Sequence, residues 1–164
     1  AGLDRRLRSC ARFPVDGTMS DIDTALLAAA AAENAAVYGY SLAGARLQNA
    51  QDKTAARAAY DLHRAQVQAV TQWLAARSAT PQPPAPAYDL PSPVNDAAAA
   101  RALLAAIEES TAAAYADVVA VTGGALQRAA ALALQSAAVR EAGWRGTSVP
   151  FPGLIGRVGP DASG

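Results

Sequence analysis

Between Ser78 and Asp96 the chain carries Pro81, Pro83, Pro84, Pro86, Pro91 and Pro93. No helix absorbs that density, because each proline lacks a backbone donor and its ring clashes with the preceding turn. The segment favours stiff, polyproline-like chain at about 3.1 Å per residue, a reach on the order of 55 Å, against roughly 37 Å for a helix of about 25 residues. The chain there is long enough to cross a whole bundle of such helices. The element after the prolines need not run antiparallel to the element before them.

Those flanking stretches are helical. Roughly a quarter of the 164 residues are alanine, the strongest helix former, aromatics make up 5%, and β-branched runs are absent, which points to an all-α fold. In the first stretch, Ile22 to Leu47, apolar residues recur at Ile22, Leu26, Ala29, Val37, Tyr40, Gly44 and Leu47. Ser20 or Thr18 caps it, with Asp21 and Asp23 in the first turn, and the helix is expected to run to about Gln48. After a short connection at Asn49-Ala50-Gln51-Asp52, Lys53 to Arg77 resumes the pattern at Ala56, Ala59, His63, Val67, Val70 and Leu74, an antiparallel neighbour. Beyond the prolines, Asn95 or Asp96 caps a third helix with Leu104, Ile107, Glu108, Thr111, Tyr115 and Val118 in its stripe. Thr122-Gly123-Gly124 ends it as a turn rather than a phosphate loop, since no strand precedes it. A fourth helix is expected over Ala125 to Ala142, with Leu132, Gln135, Val139 and Ala142 facing inward and Gly143 stopping it. Residues 1–18 read as a disordered arm, 19–155 as one bundle whose apolar tail segment (Val149 to Ile155) docks on the helices, and 156–164 as a flexible end.

Several function classes are disfavoured. Formal charge is zero, so the chain offers no electrostatic footprint for nucleic acid or an anionic membrane surface. Cys10 is the only cysteine, which excludes an internal disulfide and a thiolate metal cluster. The longest apolar run, Ala25 to Ala32, falls far short of the roughly 20 residues that span a bilayer. Arg5, Arg6, Arg8 and Arg12 precede that run, but the intervening segment is too polar for an export signal, and a cytoplasmic location is expected.

At helical spacing, Glu33, His63 and Glu108 fall within the apolar arcs of the first three helices, and Gln135 does so on the fourth, whereas Glu109 points to water. Glu33 precedes Tyr60 by 27 residues and His63 by 30; Glu108 precedes Gln135 by 27 and Ala138 by 30. The chain thus reads as two similar helical hairpins. This pattern resembles the ferritin-like superfamily, in which each hairpin contributes a Glu from its first helix and a Glu-x-x-His pair from its second, the hairpins being joined by a long crossover. Glu33-Asn34-Ala35-Ala36-Val37-Tyr38-Gly39-Tyr40, with His63-Arg64, Glu108-Glu109 and Gln135-Ser136-Ala137-Ala138, further resembles an actinobacterial family of uncharacterised ferritin-like domains over about residues 20–155. The resemblance implies a ferritin-like four-helix bundle with the proline-rich segment as its crossover.

The departures from the superfamily pattern bear on function. Tyr60 and Gln135 stand where bridging carboxylates would be, and Ala138 stands where the second histidine belongs. Glu33, His63 and Glu108 alone cannot bridge two hard cations, so neither ferroxidase nor dinuclear oxygen chemistry is expected. Three readings remain for the trio. It forms a polar cluster completed by Tyr60, Tyr40 or Gln135; or it holds a single divalent metal, giving an unorthodox metal-dependent oxidoreductase; or Glu108 snorkels to water and no cluster exists. A Ser–His–Asp triad is disfavoured because Ser41, Ser136 and Asp61 lie off the faces that look toward His63. The expected function is therefore a non-catalytic domain without a cofactor, acting through its surface. A homodimer through a first-helix face rich in Leu27, Tyr38 and Leu42 is the expected partnership.

Overall fold

The computed structural model describes residues 20–90 and 92–146. The expectations for residues 1–18, for the docking of 149–155 and for 156–164 lie outside the described residues. Among the described residues four helices account for the regular structure: α1 Asp21–Gly44, α2 Ala50–Ala75, α3 Ala97–Val121 and α4 Gly124–Arg145. No helix among the described residues is long and apolar enough to cross a membrane.

The caps explain where the helices begin. Ser20 accepts from the Asp23 amide at 3.2 Å, Asn49 from the Asp52 amide at 2.6 Å, and Asp96 from the Ala99 amide at 2.8 Å. Each satisfies one of the orphan donors of a first turn. The Asn49 cap starts α2 at Ala50, three residues before the expected Lys53, and Asn49 Nδ2 also donates to Asp52 at 2.7 Å. Gly123 caps α4 without a side chain, so Thr122 and Gly123 alone separate α3 from α4. Gly143 does not stop α4 as expected. The helix runs through it to Arg145 and ends where Gly146 takes a left-handed conformation (φ 76°) and donates to the Ala142 carbonyl at 2.9 Å.

Polar contacts fix the helix directions. Arg77, just past α2, bonds Asp23 and Ser20 at the start of α1, while Arg101 near the start of α3 reaches Asp52 near the start of α2 and the Gly143 carbonyl near the end of α4. So α1 and α2 are antiparallel, as are α3 and α4, and α2 and α3 begin at the same end. Residues 76–96 consequently join opposite ends of the helical array. They are held along the way by Tyr88 stacking on Tyr38, with ring centroids 5.4 Å apart, and by Leu90 and Val94 packing into the core.

α1 packs against α2 and α3, and α3 against α4, with no close backbone approach between α2 and α4. The α1–α3 contact is tight at Gly39, where an added methyl would run into the Ile107 side chain. The apolar interior divides in two. One cluster gathers Leu26, Val70, Leu74, Tyr115, Val118 and Ala130. The other gathers Tyr40, Leu47, Ala59, Leu103, Leu104 and Trp144. Polar side chains occupy the layer between them.

The rotation of α4 departs from expectation. Its inward face is Ala130, Ala133, Ala137, Glu141 and Trp144, while Leu132 and Val139 are 67% and 68% exposed and Gln135 is also exposed. The physical reason is alanine. A row of small residues lets α4 approach α3 closely, and because alanine counts as apolar on every face, the larger Leu132 and Val139 mark the outer side instead.

Candidate functional site

Glu33, His63 and Glu108 come together in the polar layer, all buried. α1 delivers Glu33 from mid-length, α2 delivers His63, and α3 delivers Glu108, each from the stripe that also carries its helix's core residues. The imidazole lies between the two acids, with Nδ1 2.7 Å from Glu33 Oε2 and Nε2 3.2 Å from Glu108 Oε1. Glu108 does not snorkel. Both of its oxygens are engaged, Oε1 accepting from Tyr40 at 2.5 Å and from Arg140 Nε at 2.6 Å, and Oε2 from Arg140 Nη2 at 2.9 Å. The other oxygen of Glu33, Oε1, accepts from the Tyr115 hydroxyl at 2.7 Å.

Arg140 is the member that sequence reasoning missed. α4 sends it into the layer, 19% exposed, with its guanidinium clasping Glu108 through two donors and Nη1 donating to Ser136 at 2.6 Å. Two side chains extend the network: Trp144 Nε1 donates to the Tyr40 hydroxyl at 2.8 Å, and the Tyr40 and His63 rings lie 5.0 Å apart. A charge count could have located Arg140. Two inward carboxylates and one imidazole leave one negative charge unmatched in a low-dielectric interior, which calls for another cation, and α4 is the helix that had supplied none.

Two residues expected in this cluster are elsewhere. Gln135 faces solvent on the outer side of α4, a consequence of that helix's rotation. Tyr60 is half-buried at the α1–α2 seam, with the guanidinium carbons of Arg57 and Arg64 at 5.7 and 5.9 Å from its ring centroid. Of the three residues expected to form a dimer face, Leu27 packs against the core and Tyr38 stacks on Tyr88, leaving Leu42 as the open one at 36% exposure.

The electrostatics follow from the pairing. Burial by itself would lower the pKa of His63, but hydrogen bonds to Glu108 and Glu33, with their charges, outweigh it and raise the pKa above the ordinary value of 6.5. Burial would raise Glu108, yet His63 and Arg140 hold it below the usual carboxylate value. Burial and then the charge of Glu108 push the Tyr40 phenol up, and burial and then Glu33 do the same for Tyr115, so both remain donors. The layer thus sets the two acids against the Arg140 guanidinium and against an imidazole whose protonated form they favour. A further acid, Glu141, is buried on α4, its Oε1 accepting from Arg145 at 2.8 Å, and Arg145 also reaches Glu109 at 2.6 Å.

The donor set is poorly disposed for a metal. Glu33 and Glu108 sit on opposite nitrogens of one imidazole, so no point lies at the roughly 2.0–2.2 Å ligand distance from an oxygen of each and a nitrogen of His63. Among the described residues no group of His, Cys, Asp and Glu is arranged to hold a metal ion. Arg140 already occupies both oxygens of Glu108.

Residues 25–156 match a family described as a domain of unknown function, DUF4439. The chain is also similar to a solved structure described as the crystal structure of a conserved hypothetical protein, rv2844, from Mycobacterium tuberculosis. The TM-score is 0.71 and the identity 32%, over 78% of this chain and 98% of that one. No match was found among curated proteins. With most of its length aligned to the family and a relative of that similarity in hand, the chain belongs to the DUF4439 family.

Proposed function

We propose that this domain is a ferritin-like bundle in which a closed ion-paired layer replaces the metal site, and that it acts as a non-catalytic binding module. The supporting observation is the Arg140 guanidinium seated on both oxygens of Glu108, across the layer from His63. An oxidoreductase needs donor atoms free for an ion and for substrate. Here the oxygens of Glu33 and Glu108 are spent on partners within the chain. The ferritin-like reading draws on two antiparallel pairs joined by a proline-containing connection between opposite ends, with Glu33 and Glu108 at matching places in the two hairpins.

The surface of α4 is where this module meets a partner, and a second copy of the chain is the partner we favour. On the face of α4 turned away from α3, Leu132 and Val139 are two-thirds exposed, and exposed apolar side chains set about two turns apart on one face mark a partner surface. Gln135, between Leu132 and Val139, carries both a donor and an acceptor, so it can pair with itself across a two-fold axis.

The test has two arms. Protein purified without chelators from metal-supplemented medium is assayed for Fe, Mn and Zn, and its melting is followed with each ion added. Metal far below one ion per chain and unmoved melting are expected; one tightly held ion with a raised melting temperature would reinstate a mononuclear site at Glu33, His63 and Glu108. In light scattering, a concentration-dependent dimer that Leu132→Glu abolishes is expected, and a monomer at high concentration would remove the second copy.

A further inference from the structure

The end of α1 and the start of α2 enclose an open cleft of about 400 Å³ that the buried network does not use. Tyr40 and Ser41 contribute from α1 together with Gly44, and Lys53, Arg57 and Tyr60 line the opposite side from α2. We propose that this cleft binds a small organic anion with a flat apolar body.

Charge argues for the anion. Lys53 is the only lysine in the chain, and no ion pair among the described residues engages it. Arg57 pairs with Asp61 in water, at 3.2 Å and with both side chains more than half exposed, a contact weak enough to yield to a competing anion. Arg64 lies over the Tyr60 ring on the same side of α2. The cleft's lining thus holds two cations, Lys53 and Arg57, and no acid, and the acid next to Lys53, Asp52, is bound to Arg101. Guanidinium and ammonium groups placed together in this way recognise carboxylate, phosphate or sulfonate oxygens.

Shape argues for the body. The half-buried Tyr60 ring forms part of the cleft wall beside Ala56, and Tyr40 closes the floor with its hydroxyl committed to Glu108. At Gly44 a side chain would meet nothing within 4 Å, so the space beside α1 is open. Apolar surface with a few convergent polar groups is the usual make-up of a small-molecule site.

Anilinonaphthalene sulfonate, titrated into the full chain and followed by fluorescence, is a probe of this chemistry. Phenylnaphthylamine supplies the same rings without the charge. Expected is one saturable sulfonate site per chain, weakened at least about tenfold by Lys53→Glu and by Gly44→Leu. The neutral analogue is expected to bind at least about tenfold more weakly and to ignore Lys53→Glu. Binding that does not saturate, that Lys53→Glu leaves unchanged, or that the neutral analogue matches would overturn the assignment. Lys53 is an exposed side chain, so its variant keeps the test open should Gly44→Leu fail to fold.

Discussion

At matched places in the two helical hairpins lie two buried carboxylates, Glu33 in the first and Glu108 in the second, and the hairpins supply their countercharges differently. The first supplies His63, whose charge depends on a proton. The second supplies Arg140, whose charge is permanent and which stands two residues beyond the position matching His63, Ala138. The countercharge of one half therefore answers to pH in the neutral range and that of the other does not. A repeat can keep its acids while each half finds its own cation.

Breaking the permanent half has the largest expected effect. Arg140→Met leaves Glu108 buried without its bidentate partner and is expected to cost about 3–5 kcal/mol in denaturant unfolding. Adding Glu108→Gln to that variant is expected to recover part of the loss, as coupled neighbours do in a double-mutant cycle. Two independent, additive losses would show that the pair is not a unit. Tyr115→Phe and Tyr40→Phe each remove one hydrogen bond to a charged acid, with an expected cost of about 1.5–3 kcal/mol.

The titratable half is sharpened by pH. Because the folded pKa of His63 lies above its unfolded value, its stabilisation is fully present below pH 6.5 and is lost as pH rises through the folded pKa. Glu108 acts in the opposite sense, its contribution present above pH 4.5 and lost as pH falls through its depressed folded pKa. Unfolding free energy against pH should therefore show a dome, each unit of pKa separation being worth about 1.4 kcal/mol. Arg140→Met is expected to retain an alkaline limb, since that limb belongs to His63; a profile flat above neutrality in the wild type would contradict the pairing.

The smallest effects contrast the two faces of α4. Ala137→Leu, on the packed face, is expected to cost about 1–3 kcal/mol by overfilling the α3–α4 contact. Leu132→Gln in dilute protein is expected to change stability by less than about 0.5 kcal/mol. The reverse order would mean that the helix is rotated as its sequence pattern implies.

That contrast also marks what could be read in advance. The four helices, the caps at Ser20 and Asp96, and the inward placing of Glu33, His63 and Glu108 follow from residues whose local chemistry is unambiguous, whereas the Asn49 cap reads as part of a connection. α4 was illegible because eight of the twenty-two residues in GALQRAAALALQSAAVREAGWR are alanine, so hydropathy carries almost no phase, and the cue that does, the Leu132–Val139 pair, lies on the wrong side. With the phase lost, the pattern turns Gln135 inward and gives no cue to Arg140. Trp144 was assigned to the tail although it closes the last turn of α4 and reaches Tyr40, because Gly143 imitates a stop signal that Gly146 delivers.

The most direct measurement is the charge state of His63, the sole histidine, by nitrogen NMR of histidine-labelled protein at pH 7.5. Closed pairing between Glu33 and Glu108 predicts an imidazolium with both ring nitrogens protonated, unaltered by added zinc. A neutral ring with one bare nitrogen, or a signal that zinc displaces, would contradict it.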